Sequence, residues 1–279
     1  MDQPTVGILH PGSMGAAVAA CAARNAAGVL WCSQGRSPAS AARAEQAGLT
    51  PVSTLRELLD RSGVVISLCP PAAAEDLARE VAGHAFTGAY VEANAISPER
   101  AERIASMLGP AATVVDGAMV GSPPLGGKTP TLYLSGPTRV TTMVEAVFAG
   151  TAVRTKALGT EVGQASALKV SYTAYQKASR VLAALATGMA RQYDVDRELL
   201  EVASRRSMSY LADPEYIPKV AARAWRWGPE LEEAADTLAW VGLPPEMLRA
   251  AARTLTRWHD AKDDSALSVA DALERLAQP

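Results

Sequence analysis

An excess of charge of either sign is the first thing this sequence lacks. Its 279 residues carry 27 Lys and Arg against 29 Asp and Glu, a formal net charge of −2. That balance argues against nucleic acid or an anionic membrane surface as a partner. Cysteine is scarce: Cys21, Cys32 and Cys69 are an odd number, without ligand-like spacing and in apolar surroundings. Neither a disulfide framework nor a zinc site is expected, and buried thiols in a reducing cytoplasm fit the pattern. The three histidines, His10, His84 and His259, are too scattered for a metal site, so no metal is expected. No apolar run reaches the ~20 residues that span a bilayer. The start of the chain has no basic stretch leading into a long apolar core, so the expected location is the cytoplasm. Aromatic residues make up only 5%, yet 48% of the chain is hydrophobic. Alanine supplies much of that, which suggests closely packed helices around a sizeable core.

What is present falls into two rhythms. As far as about residue 158, short apolar runs alternate with helical segments. Strands are predicted at Thr5–Leu9, Gly28–Cys32, Val64–Leu68, Ala89–Glu92, Thr113–Val115, Thr131–Ser135 and Ala152–Thr155. Helices are predicted at Met14–Ala26, Pro38–Ala47, Ser53–Arg61, Ala72–Ala82, Pro98–Leu108 and Arg139–Phe148. This alternation predicts a doubly wound α/β Rossmann domain with a mostly parallel sheet, residues 1–160. From 161 to 279 the strand signal disappears. A long helix is predicted from Glu161 to Tyr193, joining the halves. Further helices follow at Arg197–Ser209, Ile217–Leu231, Leu231–Val241, Pro245–Trp258 and Ser268–Ala277, punctuated by Pro214, Pro229 and Pro244-Pro245.

The first strand runs into Leu9-His10-Pro11-Gly12-Ser13-Met14-Gly15 and then an alanine-rich helix. Against G-x-G-x-x-G, Gly12 and Gly15 hold the second and third places and His10 the first. Strand, tight turn and helix start together form a phosphate cradle, because free N–H groups and the helix dipole both favour an anion. Gly12, Ser13, Met14 and Gly15 are therefore expected to bind the pyrophosphate of a dinucleotide, with His10 packed nearby. After the second strand comes Ser33-Gln34-Gly35-Arg36-Ser37, and no acid occurs between Asp2 and Glu45. A carboxylate here would favour NAD. Ser33, Arg36 and Ser37 instead suit the 2′-phosphate of NADP. Leu68 and Cys69 close a later strand and Asn94 follows another. All three are expected at the cofactor, with Asn94 bonding the nicotinamide or its ribose.

On these residues the chain resembles the β-hydroxyacid dehydrogenase / 6-phosphogluconate dehydrogenase-like superfamily, in a branch with a short all-helical C-terminal domain. The opening turn matches that family's G-L-G-x-M-G-type start. Asp116-Gly117-Ala118-Met119-Val120-Gly121-Ser122 lies where the family has its D-A-P-V-S-G-G substrate motif. Gly163-Gln164-Ala165-Ser166-Ala167-Leu168-Lys169 lies where it has its catalytic lysine. The resemblance implies an NADP(H)-dependent oxidoreductase that moves hydride between the nicotinamide and a carbonyl or hydroxyl carbon. Lys169 would be the general acid/base, with Gly121, Ser122 and Thr173 positioning the substrate. It also implies a homodimer formed through the helical domain. The expected substrate is small and hydroxy-acid-like; Thr173 replaces the family's asparagine and Val120 its serine, which leaves room for a bulkier or less polar one.

Helical spacing adds a reading that is independent of the resemblance. Lys169, Tyr172, Thr173, Gln176, Lys177 and Arg180 fall on one stripe of the long helix. Lys177, two turns beyond Lys169, would lower the lysine's pKa or hold a substrate anion. The segment Trp225-Arg226-Trp227 is read as packing rather than as a substrate lid. Two other functions fit the same architecture. An imine reductase would take a C=N substrate but generally lacks the lysine, and a non-catalytic NADPH sensor would have no need of it.

Overall fold

The computed structural model describes residues 3–192, 194–205, 213–240, 242 and 244–278, except for the side chains of 182, 184–186, 188, 189 and 192. The chain divides into two compact units, Met1–Lys169 and Val170–Pro279.

The first unit is built on one eight-stranded sheet. Its strands are β1 (Thr5–Ile8), β2 (Gly28–Cys32), β3 (Thr50–Val52), β4 (Val64–Ser67), β5 (Ala89–Glu92), β6 (Thr113–Val120), β7 (Thr131–Ser135) and β8 (Arg154–Gly159). They lie in the order β3-β2-β1-β4-β5-β6-β7-β8, and every pair is parallel except β6 with β7. The order reverses between β1 and β4, so the carboxyl ends of β1 and β4 flank a topological switch point, where ligands bind in open α/β sheets.

Strands such as Val64-Val65-Ile66 are apolar on both faces because helices cover both faces. Val6, Ile8, Val64, Ile66 and Val91 point into one core, with α1 (Ser13–Ala22), α2 (Pro38–Gln46) and α6 (Thr138–Phe148) over it. Leu30, Val65, Tyr90 and Val114 point into the other, under α3 (Leu55–Arg61), α4 (Ala74–Gly83) and α5 (Pro98–Leu108).

Three strands depart from the sequence reading, one of them β8, which lies at Arg154–Gly159 where Ala152–Thr155 was expected. β3 is an edge strand of three residues that includes Pro51 and buries only Val52. It is too short for alternation to show, and its proline is tolerated because it lies at the edge. β6 runs on to Val120 through Asp116 and Gly117, both buried, where the apolar run had seemed to end.

The second unit is entirely helical among the described residues. α7 (Gln164–Gln192) begins in the first unit and continues into the second, followed by α8 (Asp196–Ser204), α9 (Ile217–Ala221), α10 (Ala224–Trp240), α11 (Glu246–Leu255) and α12 (Val269–Ala277). Tyr193, residues 206–209 and Val241, where predicted helices were to end, lie outside the described residues. The core of this unit gathers Val220, Trp227, Leu231, Ala235, Leu255 and Trp258. The fully buried Trp258 donates its indole N–H to the Ala272 carbonyl at 2.7 Å. Pro229 does not separate two helices as expected. The break falls at Ala222-Arg223, and Pro229 sits inside α10. It removes one N–H, but burial of Trp227, Leu231, Ala234 and Ala235 on the same helix outweighs that loss.

Candidate active site

The strands β1, β2, β4, β5 and β6 run parallel, so their carboxyl ends share one edge of the sheet. That edge carries the glycine turn, the loop with Ser33, Arg36 and Ser37, the pair Leu68-Cys69, Asn94, and Gly121-Ser122.

The glycine turn is built for close approach. A Cβ on Gly15 would overlap the His10 carbonyl oxygen, so the helix can seat against the turn only with glycine there. Ser37, Thr54 and Ser97 cap α2, α3 and α5 through their hydroxyls, whereas α1 starts at Gly12 with no side-chain cap. Its first N–H groups keep their hydrogen-bonding capacity for a ligand.

Two arginines brace this turn. Arg36 donates from Nη2 to the Leu9 carbonyl at 2.7 Å and from Nη1 to His10 Nδ1 at 3.2 Å. Arg43 donates from Nε to the Pro11 carbonyl at 3.2 Å and from Nη2 to Ser40 Oγ at 3.1 Å. As the acceptor for Arg36, His10 must be neutral, and burial, then Arg36 and Arg43, hold its pKa below the ordinary histidine value. Arg36 Nε is buried and has no hydrogen-bond partner among the described residues. Ser33 and Ser37 are exposed beside this cationic pair. Sequence reasoning missed Arg43. Its signal was a second arginine seven residues after Arg36, two turns into the same acid-free stretch.

Asn94 does not present a free side chain. It is 3% exposed, its Oδ1 accepts from the Cys69 N–H at 2.6 Å, and its Nδ2 donates to Ser67 Oγ at 3.0 Å. It ties the end of β4 to the end of β5. Burial pushes the Cys69 thiol up to about 11, so it stays protonated at neutral pH.

A polar row crosses the sheet just below this edge. The strand register sets Ser67 beside Glu92, Glu92 beside Asp116, and Asp116 beside Ser135, and all four are fully buried. Asp116 Oδ2 accepts from the N–H groups of Gly163 and Ser166, each at 2.9 Å, and from Ser135 Oγ at 3.3 Å. Its Oδ1 accepts from Ser166 Oγ at 2.6 Å. Ser135 Oγ in turn accepts from the Ala165 N–H at 3.1 Å. The start of α7 is thus fastened to the middle of the sheet, and Lys169 lies one turn beyond Ser166. Burial raises the Asp116 carboxyl above the usual aspartate value, against the pull of its bonds from Ser166, Gly163 and Ser135. Glu92 is pushed up to about 8, chiefly by burial, and its Oε2 has no hydrogen-bond partner among the described residues.

Gly121 ends β6 at a φ of +123°, a conformation that glycine adopts without strain, and both Gly121 and Ser122 are exposed. Lys169 is partly buried.

Residues 190–258 match a family model described as a domain of unknown function, DUF1932. No curated protein sequence matches the chain significantly. Among solved structures, the chain is similar to a conserved protein of unknown function described as structurally similar to 3-hydroxyacid dehydrogenases. That match has 25% identity and a TM-score of 0.72, covering 92% of this chain and 97% of the other. It is similar to the 3-hydroxyisobutyrate dehydrogenase of Mycobacterium tuberculosis, with 17% identity and a TM-score of 0.79, covering 99% and 100%. It is similar to a reductive aminase from Aspergillus terreus, solved with NADPH and ethyl levulinate, with 17% identity and a TM-score of 0.55, covering 98% and 99%. The fold is that of the 3-hydroxyacid dehydrogenases.

In this hydroxyacid-dehydrogenase fold the second unit accounts for other candidates. Lys177 is buried, ion-paired with Glu230, with its Nζ 5.4 Å from the centroid of the Trp227 ring. Its charge is met inside the helical unit by Glu230. Thr173 is buried as well, while Tyr172 is exposed, so the members of the expected stripe differ in burial. Trp227 is buried. Trp225 is half exposed, with Lys262 Nζ 4.4 Å from its ring centroid and its indole N–H donating to Asp263 Oδ1 at 3.3 Å. Among the described residues no metal-ligating cluster forms, and no helix is long and apolar enough to cross a membrane.

Proposed function

We propose that this protein is an NADP(H)-dependent oxidoreductase acting on a carbonyl or hydroxyl carbon, with Lys169 as its general acid/base. The observation that carries the proposal is the arginine-braced glycine turn at the switch point of the sheet, on the edge where β6 ends at Gly121-Ser122. The residues present fit a dinucleotide phosphate: α1 has an uncapped first turn, Gly15 lets it approach, and Arg36 keeps a buried donor in reserve. When bound, the nicotinamide supplies or accepts the hydride.

The chain's own residues do the rest. Ser13, Met14 and Gly15 present backbone N–H groups to the pyrophosphate, and Gly12, whose own N–H donates to the His10 carbonyl at 2.9 Å, turns the chain into them. Arg36, with Ser33 and Ser37 beside it, holds the 2′-phosphate. Leu68 and Cys69 line the end of β4. Gly121 and Ser122 offer N–H groups to a substrate carboxylate. Lys169 Nζ delivers a proton to the carbonyl oxygen as negative charge develops there, and in the other direction removes the hydroxyl proton.

Lys169 also weighs against an imine as substrate. An imine that binds already protonated, as an iminium, becomes a neutral amine on accepting hydride and needs no proton from the enzyme, whereas a carbonyl does. The test is turnover of a panel of carbonyls (glyoxylate, succinic semialdehyde and ethyl levulinate) and of cyclic imines, followed by loss of NADPH absorbance. Carbonyl reduction is expected, falling about 100-fold or more in Lys169→Ala. Undiminished carbonyl reduction by that variant overturns the assignment. NADPH binding with no turnover of any substrate would instead favour a sensor.

A homodimer through the helical unit belongs to the same proposal. Exposed Trp240, Tyr175 and Met247 on that unit support it, and light scattering tests it.

A further inference from the structure

The resemblance puts Asp116 at the head of a substrate motif, but its side chain is bonded to the start of α7. Four donors converge on one fully buried carboxylate: the N–H groups of Gly163 and Ser166 and the hydroxyls of Ser166 and Ser135. Three of these belong to the segment that leads into Lys169. Ser135 adds a second tie, because it accepts the Ala165 N–H while donating to Asp116. A helix start ordinarily leaves four N–H groups to be satisfied by a nearby cap or by water. Here two are satisfied by a carboxylate and a hydroxyl that arrive from neighbouring strands of the sheet. That fixes both the translation of the helix along its axis and its rotation, and so fixes the root of every side chain in its first two turns. Lys169 follows Ser166 by three residues, which puts it one turn on, about 4.5 Å further along the axis.

We propose that Asp116 is a positioning residue for Lys169: through its bonds to Gly163 and Ser166 it holds the first turn of α7 at the height and rotation from which the lysine amine reaches the reacting oxygen. The proposal rests on Lys169 being the general acid/base. A proton donor displaced by about 1 Å loses much of its effect, even when cofactor and substrate still bind. Ser135 shares the role as the second tie, from β7. Substrate contact at this motif is left to the backbone of Gly121 and Ser122.

The test is a cycle of four full-length proteins: wild type, Asp116→Asn, Lys169→Ala and the double variant. Each is assayed with NADPH and the fastest carbonyl of the panel above. Asn keeps the size of the side chain but puts an amide where one of the two accepting oxygens stood. Asp116→Asn is expected to lower kcat about 10- to 100-fold, to leave NADPH affinity within about twofold, and to cost nothing further when Lys169 is already alanine. An unchanged kcat, or the same loss in both backgrounds, overturns the proposal.

Amide hydrogen exchange keeps the two readings apart. In Asp116→Asn, exchange at residues 163–169 is expected to accelerate about 10-fold or more, while β1 and β2 stay protected. Unchanged exchange there overturns the anchor, whatever the kinetics show. Full activity in Lys169→Ala, with faster exchange in Asp116→Asn, sinks the Lys169 assignment and with it the catalytic part of this inference. If Asp116→Asn does not fold, Ser166→Ala removes one bond and keeps the carboxylate. It is expected to lower kcat about threefold to 10-fold with NADPH affinity unchanged, and an unchanged kcat overturns the proposal.

Discussion

Replacing Glu92 by glutamine should make this protein more stable, and more so as the pH rises. The carboxyl is fully buried in the middle of the sheet, and burial lifts its pKa to about 8 from an ordinary 4.5. The neighbouring charge of Asp116 acts in the same direction, whereas the bonds from Asn94 and the charge of Arg100 act against it. Below pH 4.5 the group is protonated in both folded and unfolded chains and has no effect on the balance. Between 4.5 and about 8 the unfolded chain has released a proton that the folded one still holds, so stability falls as pH rises. Each pH unit in that window costs about 1.4 kcal/mol, about 3 kcal/mol by pH 7 and about 5 kcal/mol at the plateau above pH 8. A domain of ordinary stability has about 5–15 kcal/mol in all, so the effect is large. Glutamine keeps the size of the side chain and an oxygen for the Asn94 N–H but never ionises. Urea unfolding of both proteins, followed by circular dichroism at a series of pH values, reads the difference directly. His10, whose lowered pKa makes stability fall as the pH drops through its range, is common to both proteins and cancels. Parallel stability curves for wild type and Glu92→Gln from pH 5 to 8 would refute the reasoning.

Arg36→Ala should weaken NADPH by about 2 kcal/mol and NADH by much less, read by fluorescence titration; equal weakening removes the 2′-phosphate role. Gly15→Ala should abolish tight binding of either dinucleotide, because the added methyl displaces the His10 carbonyl from the cradle; unaltered affinity would refute this. Lys177→Met should cost about 3–5 kcal/mol of stability by stranding Glu230, and Lys177→Met with Glu230→Gln should recover most of it. A raised KM with stability intact would return Lys177 to the substrate.

Much of the first unit was legible because its signals are local. An apolar run, a Pro-Gly turn and an alanine-rich helix lie within some twenty residues, and Arg36 follows the next strand directly. The helices that begin at Pro38 and Pro98 were placed by their local pattern, and Ser37 and Ser97 cap them. Asp116 was placed within a motif, but its work was not readable. Its partners lie 47 and 50 residues further along the chain, and no periodicity says which buried acid meets which helix start. The partners of Asn94 were hidden for a related reason: a polar residue at a strand end looks free until the neighbouring strand brings Ser67 and Cys69 against it. Lys177 sat on a genuine helical stripe, but the stripe does not say that Glu230 and Trp227 close over half of it. Pro229 was read by propensity, which burial of the rest of α10 overrules.

The fastening of α7 by Asp116 and Ser135 has a consequence for the order in which the chain is assembled. Both anchors stand upstream of the helix they hold, on strands that pair with each other in antiparallel register. A chain that emerges from its amino end can lay down β6 and β7 before residue 164 appears. The first turn of a helix is the costly one to form. Here it would meet a finished acceptor already in place, so the sheet can serve as the template on which the long helix starts.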